Sequence, residues 1–300
     1  MPESDKNVVL VTGAATGIGN LTARTLAAAG HTVYASMRDV AGRNAGHAAE
    51  LVELGRREGQ DLRVVELDIT AEESAQAAVA SILDDAGHLD TVVHNAGHLF
   101  IGYVEAFTDD DIAHLLDVNA IGAHRVNRAV LPHMRQHRSG TLLYVGSTIV
   151  VTTPPFLGPY VASKAAFDAL AVVTSYEVSQ FGIETSIVMP GAITQGTQHF
   201  PNASRATDEH VAAQYAELDP LVARTHTAHE QLFVPGTTAD PQDVADEIRR
   251  ILALPVGAKP FRSVVDAARA GVDHVMAFSD LTREAFVRRL GFTETLELKR

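Results

Sequence analysis

The segment Tyr160-Val161-Ala162-Ser163-Lys164 sets a phenol and an ammonium four positions apart, and Ser147 stands thirteen positions upstream. Residues four apart on a helix share a face. The positive charge of the lysine then favours the phenolate, which free in water forms only near pH ~10. A neighbouring serine hydroxyl can hold an oxygen about to gain or lose a proton. Together the three make a general acid/base set for a carbonyl or an alcohol. Each also has a purely structural explanation: Tyr160 as a core phenol, Lys164 as a solvated helix charge, Ser147 as a strand-end cap. The start of the chain argues for the chemical one.

Asn7 to Thr12 is a short, β-branched apolar run, the pattern of a buried parallel strand. Thr12-Gly13-Ala14-Ala15-Thr16-Gly17-Ile18-Gly19 follows at once, and an alanine-rich helical stretch then runs to about Gly30. Three glycines between strand and helix let the backbone turn tightly and approach a diphosphate. The helix start offers N–H groups and partial positive charge to it. The spacing is G-x-x-x-G-x-G rather than the commoner G-x-G-x-x-G.

These groups need elements to position them, and the chain alternates strand and helix patterns throughout. Strands are predicted at 7–12, 32–37, 62–66, 90–94, 140–146, 183–189 and 261–265. Helices are predicted at 17–29, 41–58, 71–86, 109–134, 158–181, 241–253 and 273–289. Such alternation implies an α/β fold: a doubly wound parallel sheet of the Rossmann type, about seven strands with helices on both faces, in a single domain. Asp240-Pro241 is a helix start signal, aspartate as cap and proline at the first position. The irregular stretch 192–239 is long enough to be a functional lid, and 266–300 reads as a helical extension.

Composition narrows the rest. Three hundred residues bury a substantial core. With no cysteine there is neither disulfide nor thiolate metal site, which fits a reducing, cytoplasmic setting. A formal charge of −13 without a basic face argues against nucleic acid. Fourteen histidines show no metal-binding spacing, so no metal is expected. Residues 1–7 lack the features of a secretory signal. The uncharged stretch Ser139 to Ser163 contains Pro154, Pro155 and Pro159, so it reads as a buried strand and a pocket-lining loop rather than a membrane span.

In combination these residues resemble the short-chain dehydrogenase/reductase family, from about residue 6 to about 265. The resemblance rests on Thr12-Gly13-x-x-x-Gly17-Ile18-Gly19, Asp68, Asn95-Ala96-Gly97, Asn119, Ser147, Tyr160-x-x-x-Lys164 and Pro190-Gly191, in that order. It implies Tyr160 as proton donor or acceptor, Lys164 as lowering the phenol's pKa and bonding the nicotinamide ribose, and Ser147 as stabilising the substrate oxygen. Asn119 would interrupt its helix and hold a water that feeds protons towards Lys164. The cofactor side would comprise Thr12, Gly13, Thr16, Gly17, Ile18 and Gly19, then Asp68 with Ile69 at the adenine. Asn95, Ala96 and Gly97 would lie under the ribose, and Pro190, Gly191, Ile193 and Thr194 beside the nicotinamide. His94 stands where relatives often carry asparagine.

An acidic side chain at the end of the second strand would select NAD. Met37 holds that place, with Arg38 next to pair with a 2′-phosphate and Ser36 to add a hydroxyl, so NADP(H) is favoured over NAD(H). Ala15 and Thr16, where some relatives are basic, weigh the other way. The helix from 158 is apolar almost all round, and in relatives its counterpart packs on its own copy, implying a homodimer or homotetramer. Pocket walls are expected from 98–103, from 148–157 (Ile149, Val150, Val151, Pro154, Pro155, Phe156, Leu157) and from the lid, giving an apolar or mixed small-molecule carbonyl substrate. The lid histidines 199, 210, 226 and 229 are expected in solvent. The leading function is an NADP(H)-dependent reductase of a carbonyl or the reverse dehydrogenase. The alternatives are an NAD-dependent alcohol dehydrogenase, a sugar-nucleotide epimerase or dehydratase, and a non-catalytic redox sensor.

Overall fold

The computed structural model describes residues 6–193, 195–234 and 236–299, with the backbone alone at 226, 229 and 230. β1 (Val8–Val11) leads through the glycine turn into α1 (Gly17–Ala28). β2 (Thr32–Met37), α2 (Ala45–Glu58), β3 (Leu62–Glu66), α3 (Glu72–Ala86) and β4 (Thr91–His94) repeat the alternation. β5 (Phe100–Ile101), α4 (Asp109–Leu116), α5 (Gly122–His137), β6 (Gly140–Val145), α6 (Ile149–Thr152), α7 (Gly158–Val178) and β7 (Ile183–Pro190) follow. A roof segment then carries β8 (Ser204–Arg205), α8 (Glu209–Gln214), α9 (Asp219–Ala223) and α10 (Thr225–Glu230). α11 (Pro241–Leu252), β9 (Arg262–Val265) and α12 (Val272–Arg289) complete the chain.

Seven strands form one sheet in the order β3-β2-β1-β4-β6-β7-β9, every pair parallel. Helices cover both faces, so strand residues are apolar on both sides. On β1, Val8 and Leu10 join one core cluster while Val9 and Val11 join the other. The strand order reverses between β1 and β4, and a crevice opens there at the carboxyl ends. All seven strands lie within one residue of the sequence expectation at each end. The cap of α11 is also as expected, with Asp240 accepting from the Gln242 N–H at 2.8 Å.

Three helices differ. The helix expected from 41 begins at Ala45, because Asp39 adopts φ +52 and its carboxylate accepts from the Arg43 N–H at 2.8 Å. The helix expected at 109–134 is two, separated by a π-helical turn at Asp117–Ile121. The helix from 158 gives way after Val178 to a 3-10 turn at Ser179–Phe181. The stretch expected to be irregular holds short helices, and its β8 pairs with β5 in a separate two-stranded ribbon. The helical extension is anchored by Arg262 on β9, which reaches Asp168 of α7 at 2.5 Å and Asp280 of α12 at 3.0 Å. His94 is fully buried, with Nε2 2.8 Å from Asn127 Oδ1 and its ring stacked on Tyr144. Among the described residues no helix is long and apolar enough to cross a membrane.

Candidate active site

A cleft of about 1160 Å³ lies over the carboxyl ends of the strands where the order reverses. Of the residues expected at the cofactor, Gly13, Thr16, Gly17, Ile18, Arg38, Asp68, Ile69, Asn95, Ala96 and Gly97 line its first half. From the second half come Ser147, Tyr160, Lys164, Pro190, Gly191 and Ile193. Thr194 falls outside the described residues. Thr12, Gly19, Ser36 and Asn119 stand behind the lining.

The glycine turn explains two of these. Gly13 sits at φ +67, and a Cβ there would come 2.8 Å from Ala96 Cα, so the ends of β1 and β4 approach only without a side chain. A side chain at Gly19 would collide with the Asn95 amide and the Gly13 carbonyl, so this glycine seats α1 rather than touching a ligand. The Thr12 hydroxyl accepts from the N–H groups of Asn95 at 2.9 Å and Ala96 at 3.0 Å. It too joins the two loops instead of facing the cleft. Thr16 makes no side-chain cap on α1, and no acidic residue stands in the first turn, which suits an anion.

At the end of β2, Ser36 does not meet its expectation. Strand alternation turns its side chain to the Tyr34 side of the sheet, fully buried and without a hydrogen-bond partner among the described residues. Arg38 is exposed at the cleft edge, with Arg43 and His47 lining the same end. Asp39 is turned to the Arg43 backbone. Asp68 accepts from Thr70 N–H at 2.9 Å and Thr70 Oγ1 at 2.7 Å, shaping the loop before α3. Burial raises its carboxyl, but those bonds and the Arg38 and Arg125 charges win, and the net shift is downward. Ile69 packs against Gly122, where a Cβ would lie 2.8 Å from Ile69 Cδ1.

On α7, Tyr160 and Lys164 share the cleft-facing side and both are buried. Lys164 Nζ donates to the Val145 carbonyl at 3.0 Å and lies 5.0 Å from the Phe167 ring centroid. Burial lowers this ammonium to about 8. Burial pushes the Tyr160 phenol above its ordinary range, and a hydrogen bond with Ser147 pulls against it. In the protein alone desolvation dominates the phenol, and Tyr160 holds its proton at neutral pH. Ser147 Oγ also accepts from the Ile149 N–H at 3.2 Å.

Asn119 interrupts its helix as expected, within the π turn, but its side chain does not reach the cleft. Nδ2 donates to the His98 carbonyl and to Ser163 Oγ, both at 2.9 Å, and Oδ1 accepts from the His98 N–H at 2.7 Å. Both amide donors are taken by protein, so the carboxamide braces the π turn against His98 and Ser163.

The expected walls are met in part. Ile149, Pro154 and Leu157 line the cleft, while Val150 and Val151 pack on the core and Phe156 meets Tyr103 edge-on at 6.0 Å. Of 98–103 only His98 and Leu99 reach it, joined by His114 and Val118, which sequence reasoning missed. His210 is exposed as expected; the side chains of His226 and His229 lie outside the described residues. His199 overturns its expectation: it is half-buried, with Nε2 3.2 Å from the Tyr160 hydroxyl. His98, His114 and His199 come from segments far apart in sequence, so no local pattern announces them. Among the described residues no group of side chains has the makings of a metal site.

A family model for short chain dehydrogenase matches residues 7–208. A 3-ketodihydrosphingosine reductase of Bacteroides thetaiotaomicron is 31% identical over 202 residues, 67% of this chain and 70% of that protein. Estradiol 17-beta-dehydrogenase 1 of Rattus norvegicus is 34% identical over 195 residues, 63% of this chain and 55% of that protein. A crystal structure of a short-chain dehydrogenase from Streptomyces avermitilis superposes with a TM-score of 0.74 at 26% identity, covering 97% of this chain and 98% of that one.

The buried ammonium has a measurable consequence. Folding lowers Lys164 from 10.5 to about 8, so the buried charge costs stability below that pH. Between about pH 8 and 10.5 the unfolded chain binds a proton that the folded protein has lost, and stability rises with pH. Lys164→Met is expected to melt higher than the parent at neutral pH, with the gap narrowing as pH passes through that window. Thermal unfolding followed by circular dichroism at about pH 7 and about pH 9.5 measures this; a variant that melts lower at neutral pH contradicts it.

Proposed function

The chain belongs to the short chain dehydrogenase family, and from that premise we propose that this oxidoreductase is NADP(H)-dependent and transfers hydride between the nicotinamide and a ketone or secondary alcohol. The observation that carries this reading is the meeting of Ser147, Tyr160 and Lys164 in the same cleft as the glycine turn. A bound dinucleotide supplies or takes up the hydride. Tyr160, kept protonated by burial, gives its proton to the carbonyl oxygen in reduction and recovers one in oxidation. Ser147 holds the same oxygen and stabilises its developing charge. Lys164, fixed by the Val145 carbonyl, places positive charge beneath the phenol as it loses its proton. Asn119 positions these groups by bracing Ser163 and His98.

Arg38 supports NADP(H), and the neighbouring Arg43 and His47 add positive character to the same end of the cleft. The NAD-dependent alternative draws on Ala15 and Thr16, neither of them basic. Ile149, Leu157, Leu99, Phe200 and Leu232 make the substrate end largely apolar, with Gln198 and Asn202 polar at the roof. Such walls suit an apolar or mixed carbonyl compound, and the relatives named for 3-ketodihydrosphingosine and estradiol point the same way. In this reading the stretch 192–239 is the lid over that substrate. α7 leaves Leu170 45% and Val173 52% exposed, apolar side chains that a two-fold copy of the same helix would cover. The absence of cysteine supports a reducing, cytoplasmic setting.

Tyr160→Phe is expected to cut turnover by about 10²–10⁴-fold while dinucleotide affinity stays within about tenfold. Carbonyl-dependent NADPH oxidation and fluorescence titration measure the two, and retained turnover excludes Tyr160 as proton donor. Arg38→Ala is expected to weaken NADPH by about 10–100-fold and leave NADH nearly untouched. Equal affinity of the parent for both dinucleotides overturns the NADP(H) assignment. Gel filtration at micromolar protein is expected to show a dimer or tetramer; a 32.0 kDa monomer removes the α7 interface.

A further inference from the structure

Tyr160 meets a polar group that the reaction above does not use. His199 reaches in from the segment after β7, its ring centroid 5.5 Å from that of Tyr160 and edge-on to Phe200 at 6.4 Å. Its Nε2 stands 3.2 Å from the phenol oxygen. Burial, then the charges of Lys164 and His98, lower the imidazole to about 4, so it is neutral at pH 7. A neutral imidazole has one donor nitrogen and one acceptor nitrogen, and either can serve an oxygen-bearing ligand.

A reacting carbonyl must come within about 2.8 Å of the phenol oxygen to receive its proton. Its oxygen then displaces His199 from the phenol oxygen, whichever of the two donates in the free protein, and the atoms attached to the carbonyl carbon come to lie beside Nε2. An oxygen on the adjacent carbon can replace the lost partner. A methylene or methyl there leaves the imidazole facing hydrocarbon in a site sheltered by Phe200. Sites that leave a polar group unpaired against the wrong substrate discriminate strongly. Beyond this polar corner the walls turn apolar at Leu99, Ile149 and Leu157.

We propose that His199 is a specificity-determining residue, and that the cleft takes carbonyl compounds bearing a second oxygen on the neighbouring carbon, 1,2-diketones or α-hydroxy ketones with an apolar remainder. The inference rests on the carbonyl-reduction reading above and narrows its substrate class. In the reaction the C=O π bond breaks and a C–H bond forms with the hydride of NADPH. The oxygen takes the Tyr160 proton, which solvent then restores to the phenolate, NADP⁺ is released, and the second oxygen is unchanged. A diketone gives a hydroxy ketone, and a hydroxy ketone gives a vicinal diol.

The test compares ligands of similar size that differ in the adjacent group. With NADPH, 2-hydroxycyclohexanone and 2-methylcyclohexanone are assayed on the parent, on His199→Leu and on His199→Gln. The parent is expected to favour the hydroxy ketone by about tenfold or more in kcat/KM, chiefly through KM, with the ratio falling to about one in His199→Leu and largely restored in His199→Gln. A parent ratio near one, or a ratio that survives His199→Leu, overturns the proposal. Calorimetric titration of the NADP⁺-saturated protein with trans-cyclohexane-1,2-diol and trans-2-methylcyclohexanol reads the same preference without turnover. Equal dissociation constants overturn the inference even where no ketone is reduced. A diol preference lost in His199→Leu alongside absent turnover upholds it, and assigns the failure to the carbonyl-reduction reading instead.

Discussion

Lys164 donates to the carbonyl of Val145, the last residue of β6, across 3.0 Å of buried space. A charged nitrogen cannot be taken from water without such a partner, so this bond fixes where α7 sits against β6. Ser147 follows Val145 by two residues and Tyr160 precedes Lys164 by one helical turn. The anchor that satisfies the ammonium therefore also brings serine and tyrosine together. Asn119 adds a second tie, from the π turn to Ser163 beside Lys164 and to both backbone polar groups of His98. An uninterrupted helix over 109–134 would carry this amide past its partners, so the irregular turn is the means by which the brace reaches them.

The burial of this pair depends on the roof being held in place. β8 joins β5, His98 Nε2 lies 2.8 Å from Ser204 Oγ, and Tyr103 donates to Asp219 at 2.7 Å. Asp111 accepts from both the N–H and the hydroxyl of Thr207, at 3.1 and 2.8 Å, while also closing the cap of α4 with Thr108. Burial pushes the Asp111 carboxyl up, but these bonds favour the charged form and the net shift is down. The roof is thus held by an ionised group. Buried in the cleft, the phenol keeps its proton and the ammonium is close to losing one.

The sheet was legible because each strand is a local pattern: β-branched apolar runs bounded by turn residues, with helical periodicity between. Tyr160, Lys164 and the glycine turn were legible for the same reason, since their geometry follows from spacing on one element. What sequence could not show depends on contacts between distant segments. Thr12 and Gly19 belong to a recognisable motif, yet their work is to join β1 and α1 to the loop after β4, some eighty residues on. Ser36 lies within β2 and is buried in the sheet, while Met37 at the strand end and Arg38 just beyond it reach the cleft. His199 looked like one more polar residue in a loop, and only the path of the roof brings it to a tyrosine 39 positions away.

The chain's formal charge of −13 appears at odds with an anionic dinucleotide, but the length scale of screening resolves the conflict. At physiological ionic strength exposed charges are felt over about 8 Å, so most of the carboxylates do not act on the cleft. What acts there is local: the uncapped start of α1, Arg38 and Arg43 at one end, and Lys164 at the other. In the proposed cofactor site the glycine turn contributes no side-chain charge and would bind through backbone, which is indifferent to a 2′-phosphate. Discrimination between the two dinucleotides therefore falls on the few side chains beyond β2, and the acidic remainder of the surface governs solubility rather than the choice of cofactor.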